Sequence, residues 1–202
     1  MALNFANNNS LSSITSLPAS ISGGGLNLIS TQTASSSSTI SFTSGIDSTY
    51  KEYIFKFYNI HPSSSSNAAF AFNMSVDGGS NYNVAKTTTA FIAYHQEDGG
   101  DSSLTYESGR DLANGTGFQN ITFDIHNPND SGGSGTLHLF DPSNTTFVKH
   151  FIATSNAQIP TATTTEHFAA GYGNTTSAVN AIQFKMVTGN IDSGVIKLYG
   201  VS

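Results

Sequence analysis

Charge and cysteine are scarce or missing in this chain of 202 residues, and each shortage excludes a class of protein. Charged residues make up 10% of the sequence, against about 25% in an ordinary soluble domain. Lys and Arg number 7 against 13 Asp and Glu, which gives a net charge of −6. No basic run supplies the positive field that nucleic-acid binding needs. Without cysteine, disulfide frameworks, thiolate zinc sites and cysteine nucleophiles are excluded.

Long apolar runs are lacking as well. No stretch approaches the roughly 18 apolar residues of a membrane-spanning helix, and the first ten residues do not resemble a secretion signal. We therefore expect no membrane insertion and no secretion signal. The polarity of the chain comes instead from neutral groups, because Ser, Thr, Asn and Gly account for 91 of the 202 residues. Such a composition favours turns and strands over helices.

Alternating apolar residues dominate from Thr39 onward and predict β-strands. In the run 50–60, Tyr53, Phe55 and Phe57 fall on one face, which predicts a half-buried strand. Further strands are predicted around 40–42, 70–76, 91–95, 104–106, 118–126, 136–140, 147–153, 181–187 and 194–201. Nine or ten short strands separated by Gly, Asn and Asp indicate an all-β fold, a β-sandwich of jelly-roll type. Segments 134–140 and 193–199 share a glycine followed by alternating apolar residues, which we interpret as common strand patterning.

Two parts of the chain differ in composition. We predict an N-terminal arm of low complexity at 1–37 and a sandwich domain at 38–202. The arm contains no charged residue, and its glycine and serine runs are typical of flexible segments. Two alternatives stay open: the arm packs on its own domain as an edge strand, or it docks on a neighbouring subunit. The residues expected to make the subunit contact are Leu3, Phe5, Leu11, Ile14 and Leu17.

Patterns that would indicate catalysis are weak. The six histidines never recur at a spacing that places two of them on one strand face or helix face. No Gly-x-Ser-x-Gly elbow occurs among the serines. The acidic turn at 97–101 is the best metal candidate, yet such a turn is usually a solvated hairpin tip. We therefore predict no catalytic residues, no metal and no cofactor.

Exposed aromatic residues support an alternative of a different class, a carbohydrate-binding module for host recognition. Aromatic rings pack on the faces of sugar rings, and loop Asn and Asp groups would bind the hydroxyls. The tyrosines placed in turns or opposite the core face, and so the candidate glycan contacts, are Tyr82, Tyr94, Tyr106 and Tyr172. The competing interpretation of these four residues is packing at the rim of the core.

Five stretches taken together resemble a family of virion structural proteins from tailed marine bacteriophages, especially cyanophages. They are residues 11–47, YKEYIFKFYNIHP at 50–62, VDGGSNYNVAKTTTAF at 76–91, AGYGNTTSAVNAIQF at 170–184 and GNIDSGVIKLYGV at 189–201. The resemblance covers nearly the whole chain. It implies a tail-fibre-like or other particle-surface protein and brings no catalytic residues with it.

The expected function is therefore that of a non-enzymatic virion structural protein. It would be an accessory surface module, either a capsid decoration or a tail- or fibre-associated protein, anchored by its N-terminal arm. The expected partners are other capsid or tail subunits and further copies of the chain, with a host surface glycan as the alternative ligand. Such a protein would be assembled in the host cytoplasm and reside on the particle surface, where repeated weak contacts add up.

Overall fold

The computed structural model describes residues 25–64 and 68–202, and every regular element in these residues is a β-strand. The strands are β1 (Leu26–Ser37), β2 (Ile40–Phe42), β3 (Glu52–Pro62), β4 (Ala69–Ser75), β5 (Lys86–Gln96), β6 (Ser102–Tyr106), β7 (Gln119–Asp124), β8 (Gly133–Phe140), β9 (Lys149–Ile159), β10 (Thr163–Gly173), β11 (Ala181–Met186) and β12 (Ile191–Val201). The all-β prediction is confirmed. In the described ranges no helix has the length and apolar character needed to span a membrane.

The strands form two antiparallel sheets. The large sheet has the order β1-β12-β3-β8-β9-β10-β5-β6, and the small sheet has the order β2-β11-β4-β7. Strand β12 pairs with both β1 and β3, while β11 pairs with both β2 and β4. Along the chain, β1 leads into β2, β3 leads into β4, and β11 leads into β12. Each of the three large-sheet strands is thus connected directly to one strand of the small sheet. The six strands therefore form a three-stranded ribbon that folds over the core from one sheet to the other.

Phenylalanine side chains fill the space between the sheets. The ring of Phe184 in the small sheet lies 5.3 Å from Phe55 in the large sheet and stacks on Phe70 at 5.4 Å, measured between centroids. Such aromatic pairs add to the stabilisation that comes from burying their area. The predicted alternation of β3 is confirmed, because Phe55 and Phe57 are buried whereas Tyr58 is 41% exposed.

Strand β4 is buried on both faces, since all seven of its residues are buried, although the apolar alternation of 70–76 is typical of a half-buried strand. Phe70 and Phe72 contact core rings. On the opposite face, the Nδ2 group of Asn73 donates hydrogen bonds to the carbonyls of Tyr82 and Thr116, at 2.7 and 3.0 Å. Two loops therefore cover the outside of β4, and a single-strand pattern carries no signal for such distant loops.

Strand β1 falls inside the range assigned to the arm. Residues Leu26–Ser37 pair with β12 along almost their whole length and form one edge of the large sheet. Residues 26–37 therefore pack on their own domain as an edge strand, one of the two alternatives left open for the arm. The bounds of the strand were not predictable, because Ala34 alone among its twelve residues is buried, and exposed neutral residues show no apolar alternation. Residues 1–24 lie outside the described part of the chain, and with them the five predicted docking residues Leu3, Phe5, Leu11, Ile14 and Leu17.

Candidate functional site

Two surface features lie on the outer face of the large sheet, the face turned away from the small sheet. Successive side chains of a strand point to opposite faces, and β9 shows this clearly in its regular alternation of buried and exposed residues. The inward residues of β9 join the core. Its outward residues contribute to an apolar groove near one end of the strand and to a polar cleft near the other end.

The groove is assembled by strand pairing rather than by sequence proximity. Ile152 of β9 pairs with Ala170 of β10, which in turn pairs with Thr89 of β5. Two residues before Ala170 in β10, Phe168 pairs with Phe91 of β5. We call this surface the outer-face groove and define it by Thr89, Phe91, Ile152, Phe168, Ala170 and Tyr172. The groove consists of two adjoining depressions, and the larger of them has a volume of about 470 Å³.

Aromatic rings border the groove at both ends. Phe91 and Phe168 stack with their centroids 4.7 Å apart, and Tyr172 lies 6.1 Å from the ring of His150. Ile152 between them is 50% exposed. The lining contains no Asp, Glu, Lys or Arg. Contiguous exposed apolar surface is a feature of protein–protein interaction sites and ligand-binding grooves.

Strand β6 extends this apolar surface to the edge of the sheet. Tyr106 pairs with Phe91, so that both side chains lie on the outer face, and Leu104, two residues earlier in β6, lies on the same face. Tyr106 is 55% exposed and Leu104 is 71% exposed. The exposed apolar residues therefore continue from β9 across β10 and β5 to β6.

The polar cleft lies at the ends of β3, β8, β9 and β12 and has a volume of about 630 Å³. Its lining is polar throughout except for one glycine: Asn59, His61, Asn129, Asp130, Ser131, Gly132, Ser134, Asn156, Gln158, Asp192 and Ser193. Asn59 has a left-handed backbone conformation with φ of 48°. Its backbone N–H donates to Ser134 Oγ at 2.9 Å, which ties β3 to β8 beside the cleft.

Some of the cleft's polar groups are held in place and others are free. The Nε2 atom of His61 lies 3.2 Å from the carbonyl oxygens of Asn127 and Pro128, and its Nδ1 lies 3.6 Å from the Asp192 carboxylate. Asn156 donates through Nδ2 to the neighbouring strand, at Thr164 Oγ1 and the Thr165 carbonyl. Within residues 25–64 and 68–202, Asn156 Oδ1 keeps its full capacity to accept hydrogen bonds.

The four tyrosines predicted to contact a glycan do not come together. Tyr172 borders the outer-face groove, and Tyr106 reaches the same face from β6. Tyr94 turns to the other side of β5, and its hydroxyl donates to Asp101 at 2.9 Å. The hydroxyl of Tyr82 is buried and has no partner among the residues that the structure describes. None of the four tyrosines lines the polar cleft.

The acidic turn at 97–101 connects β5 to β6. Local hydrogen bonds hold its conformation, since the N–H of Gly99 donates to the Gln96 carbonyl and the N–H of Gly100 donates to Asp98 Oδ1. Across the described residues, no three His, Asp or Glu side chains form a group able to hold a metal ion.

Sequence reasoning missed the ionisable groups in the interior. Lys86 is fully buried, and its Nζ donates to Asn73 Oδ1 and to the Val84 carbonyl. Burial lowers the pKa of Lys86 to about 7. His167 is also buried, and in the described part of the chain neither ring nitrogen has a hydrogen-bond partner. Burial, followed by the nearby charge of Arg110, lowers the pKa of His167 to about 4.

The buried His167 predicts an acid-sensitive fold. Its folded pKa of about 4 lies below the ordinary value of 6.5, so the unfolded chain binds more protons between these pH values. The contribution of the neutral His167 to stability is fully present above about pH 6.5, and up to about 3 kcal/mol of it is lost as the pH drops to about 4. Urea unfolding of the wild type and of His167→Met, between about pH 7 and 4.5, measures this loss.

A matched substitution separates this effect from general acid denaturation. His95 is exposed at the end of β5, so His95→Gln should keep the wild-type loss of stability, whereas His167→Met should remove most of it. Equal losses in the wild type and in His167→Met would show that His167 does not titrate on unfolding.

No protein-family model, no curated protein and no solved structure matches the chain. Its class is therefore defined by the fold and the site. It is an all-β protein of two antiparallel sheets, with an apolar groove and a polar cleft on the outer face of the larger sheet.

Proposed function

We propose that this protein is a non-enzymatic structural module of the virion surface, held on the particle by its N-terminal segment. The observation that carries the proposal is the outer-face groove. It is an exposed apolar surface on a sheet whose opposite face packs against the hydrophobic core. The resemblance of five stretches to virion structural proteins of tailed phages supports the setting. The segment proposed as the anchor is residues 1–24 instead of the whole predicted arm at 1–37, because Leu26–Ser37 belong to the large sheet.

The groove's occupant in this proposal is residues 1–24 of a neighbouring copy. The first charged residue of the chain is Asp47, and the groove lining carries no charged group either. Leu11, Ile14 and Leu17 therefore contribute buried apolar area in such a contact without desolvating a charge. Docking of the segment on its own sheet is the competing outcome, and the dependence of assembly on protein concentration distinguishes the two.

Chain length is compatible with docking on a neighbour. Gly25 precedes β1, at the edge of the large sheet opposite to β6. Seven spacings between strands, about 34 Å in total, separate the two edges. Twenty-four extended residues reach about 80 Å, which is more than twice the width of the sheet.

The jelly-roll form of the sandwich belongs to the same proposal. Its support is the three-stranded ribbon, in which β1, β12 and β3 continue into β2, β11 and β4 on the other side of the core. Jelly rolls are wound from antiparallel strands that fold over the core in this way. Whether the module sits on the capsid or on the tail is decided by its copy number in purified particles.

Two changes test the anchor. Deleting residues 2–24 leaves β1 intact, and the shortened chain should fold but fail to self-assemble in sedimentation velocity and fail to enter particles. In the full chain, Ile152→Glu should give the same result, because docking would then bury a charge. Val187→Glu is the matched control, since Val187 is 48% exposed and Ile152 is 50% exposed. Undiminished incorporation of the shortened chain would overturn the anchor, and normal assembly of Ile152→Glu would overturn the groove as its receptor.

A further inference from the structure

We infer that the polar cleft binds a neutral saccharide. This function is separate from the docking proposed above, because the cleft and the outer-face groove share no lining residue. A saccharide presents many hydroxyl groups, each of which donates and accepts hydrogen bonds. A site for it needs donors and acceptors side by side, in a volume of the usual size for ligand sites, roughly 300–1,000 Å³. The cleft, at about 630 Å³, meets both requirements.

The cleft offers acceptors and donors that the protein leaves unused. The Asp130 carboxylate and Asn156 Oδ1 accept no hydrogen bond within the described residues. Gln158 accepts at Oε1 from Ser131 Oγ at 2.8 Å, which orients the side chain and leaves its Nε2 group to donate. The hydroxyl of Ser193 both donates and accepts. All four side chains line the same cavity.

The charge of the lining selects against acidic ligands. Asp130 and Asp192 both carry a negative charge at neutral pH, and His61 beside Asp192 is the single titratable nitrogen in the lining. Lys and Arg are absent from the residues that line the cleft. A sulfated, phosphorylated or carboxylated sugar would bring like charge next to these carboxylates without compensation. The cleft therefore fits a neutral saccharide.

The binding groups are held in place before a ligand arrives. His61 is held through Nε2, which lies 3.2 Å from the carbonyl oxygens of Asn127 and Pro128, Asn156 is bonded to β10 through Nδ2, and Ser134 Oγ accepts the backbone N–H of Asn59. Side chains that are already ordered lose little conformational freedom on binding. Backbone hydrogen bonds also join the rim to the sheet, since the N–H of Gln158 donates to the Gly132 carbonyl.

The test uses the full chain and two sets of probes in saturation-transfer NMR. One set contains neutral gluco-, manno- and galacto-oligosaccharides, and the other contains sialylated and sulfated oligosaccharides. We expect saturation transfer to at least one neutral probe and none to the acidic set. Asp130→Ala should weaken the affinity for that probe about tenfold or more, the loss typical of one hydrogen bond to a charged group.

A blocking substitution locates the binding. Ser193 lies exposed on β12 at the cleft wall, so Ser193→Trp should abolish binding while the urea midpoint stays at the wild-type value. Ser108→Trp is the matched control, because Ser108 is exposed in the turn after β6, at the opposite edge of the sheet. Failure of every neutral probe to bind, binding of acidic probes alone, or unchanged binding by both Asp130→Ala and Ser193→Trp would each overturn the inference. The chain lacking residues 2–24 should bind the saccharide normally, so this outcome is independent of the anchor.

Discussion

Phe184→Ala should lower the free energy of unfolding by about 3–5 kcal/mol, the range typical of a large aromatic residue removed from a core. Phe184 is fully buried in β11 and contacts rings from both sheets, with Phe42 and Phe55 at centroid distances of 6.1 and 5.3 Å. Its removal leaves a cavity between the sheets that rigid strands on both sides cannot close. Urea unfolding monitored by circular dichroism measures the loss.

A second phenylalanine provides the control for this result. Phe147 precedes β9 and is 68% exposed, so Phe147→Ala should change stability by less than about 0.5 kcal/mol. A loss below about 1 kcal/mol for Phe184→Ala would mean that the ring cluster around it does not hold the sheets together. The outer-face groove depends on that packing, because β9 and β10 present it on the side of the large sheet opposite to the core.

Strands with an apolar inward face were predictable from the sequence. In β3 the rings at alternate positions 53, 55 and 57 were predicted to share one face, and the structure buries all three of them in the core. Turns with glycine were predictable for a related reason. Gly78 and Gly79 have φ values of 71° and 91°, which side chains with a Cβ rarely adopt. Local patterns of this kind need no information about distant residues.

Strand β10 escaped prediction because its inward face is largely polar. Thr163, Thr165 and His167 are all buried, yet none of them counts as apolar in a periodicity analysis. Thr165 Oγ1 donates to the Ala157 carbonyl of β9 at 3.1 Å, so a hydroxyl takes the place of a methyl group without leaving a polar atom unsatisfied. A buried polar face depends on hydrogen-bond partners in other strands, so the sequence of the strand itself shows no apolar alternation.

The similarity between segments 134–140 and 193–199 does not extend to equivalent pairing. The strands that contain them, β8 and β12, flank β3 on its two sides, but Leu137 pairs with Phe55 whereas the matching Ile196 pairs with Phe57. The two glycines also differ in surroundings, since a Cβ on Gly135 would meet the Thr154 carbonyl oxygen of β9 and a Cβ on Gly194 would meet Ile60 of β3. Common strand patterning, as interpreted from the sequence, therefore accounts for the similarity.

The candidate site could be predicted only in its residue types. Exposed tyrosines and loop Asn and Asp groups were expected, and both occur on the outer face of the large sheet. Their grouping was not predictable, because the groove needs β9, β10 and β5 as neighbours, and β10 joins strands that are far apart in sequence. Tyr94 and Tyr82 lie apart from both surface features, since the Tyr94 hydroxyl donates to Asp101 and the Tyr82 hydroxyl is buried.

Lys86→Met should stabilise the protein at neutral pH and remove a pH dependence that the wild type shows in alkaline solution. Burial lowers the folded pKa of Lys86 to about 7 from 10.5. The unfolded chain therefore binds more protons than the folded chain between these values, and stability rises with pH. The full rise is up to about 5 kcal/mol, of which about 3 kcal/mol falls between pH 7 and 9.5.

Methionine suits this position because it keeps the length of the lysine stem and requires no hydrogen bond. One of the lysine's two acceptors remains satisfied, since Asn73 Oδ1 also accepts the Met74 backbone N–H at 2.8 Å, whereas the Val84 carbonyl loses the hydrogen bond from Nζ. Urea unfolding at about pH 7 and pH 9.5 should show the wild type gaining stability while Lys86→Met stays level. Measurements stop near pH 9.5 because burial raises the pKa of Tyr53, whose ionisation on unfolding would oppose the trend above that pH.

Lys51→Met is the control, since the Lys51 side chain is 80% exposed and its ion pair with Asp141 contributes little. It should keep the wild-type rise between the two pH values. If Lys86→Met were instead less stable than the wild type at both, the hydrogen bonds from Nζ to Asn73 and the Val84 carbonyl would outweigh the cost of burying the charge. Lys86 would then be a structural tie that holds the loop before β5 against β4. A gain in stability would identify Lys86 as a residue that costs the fold free energy at neutral pH.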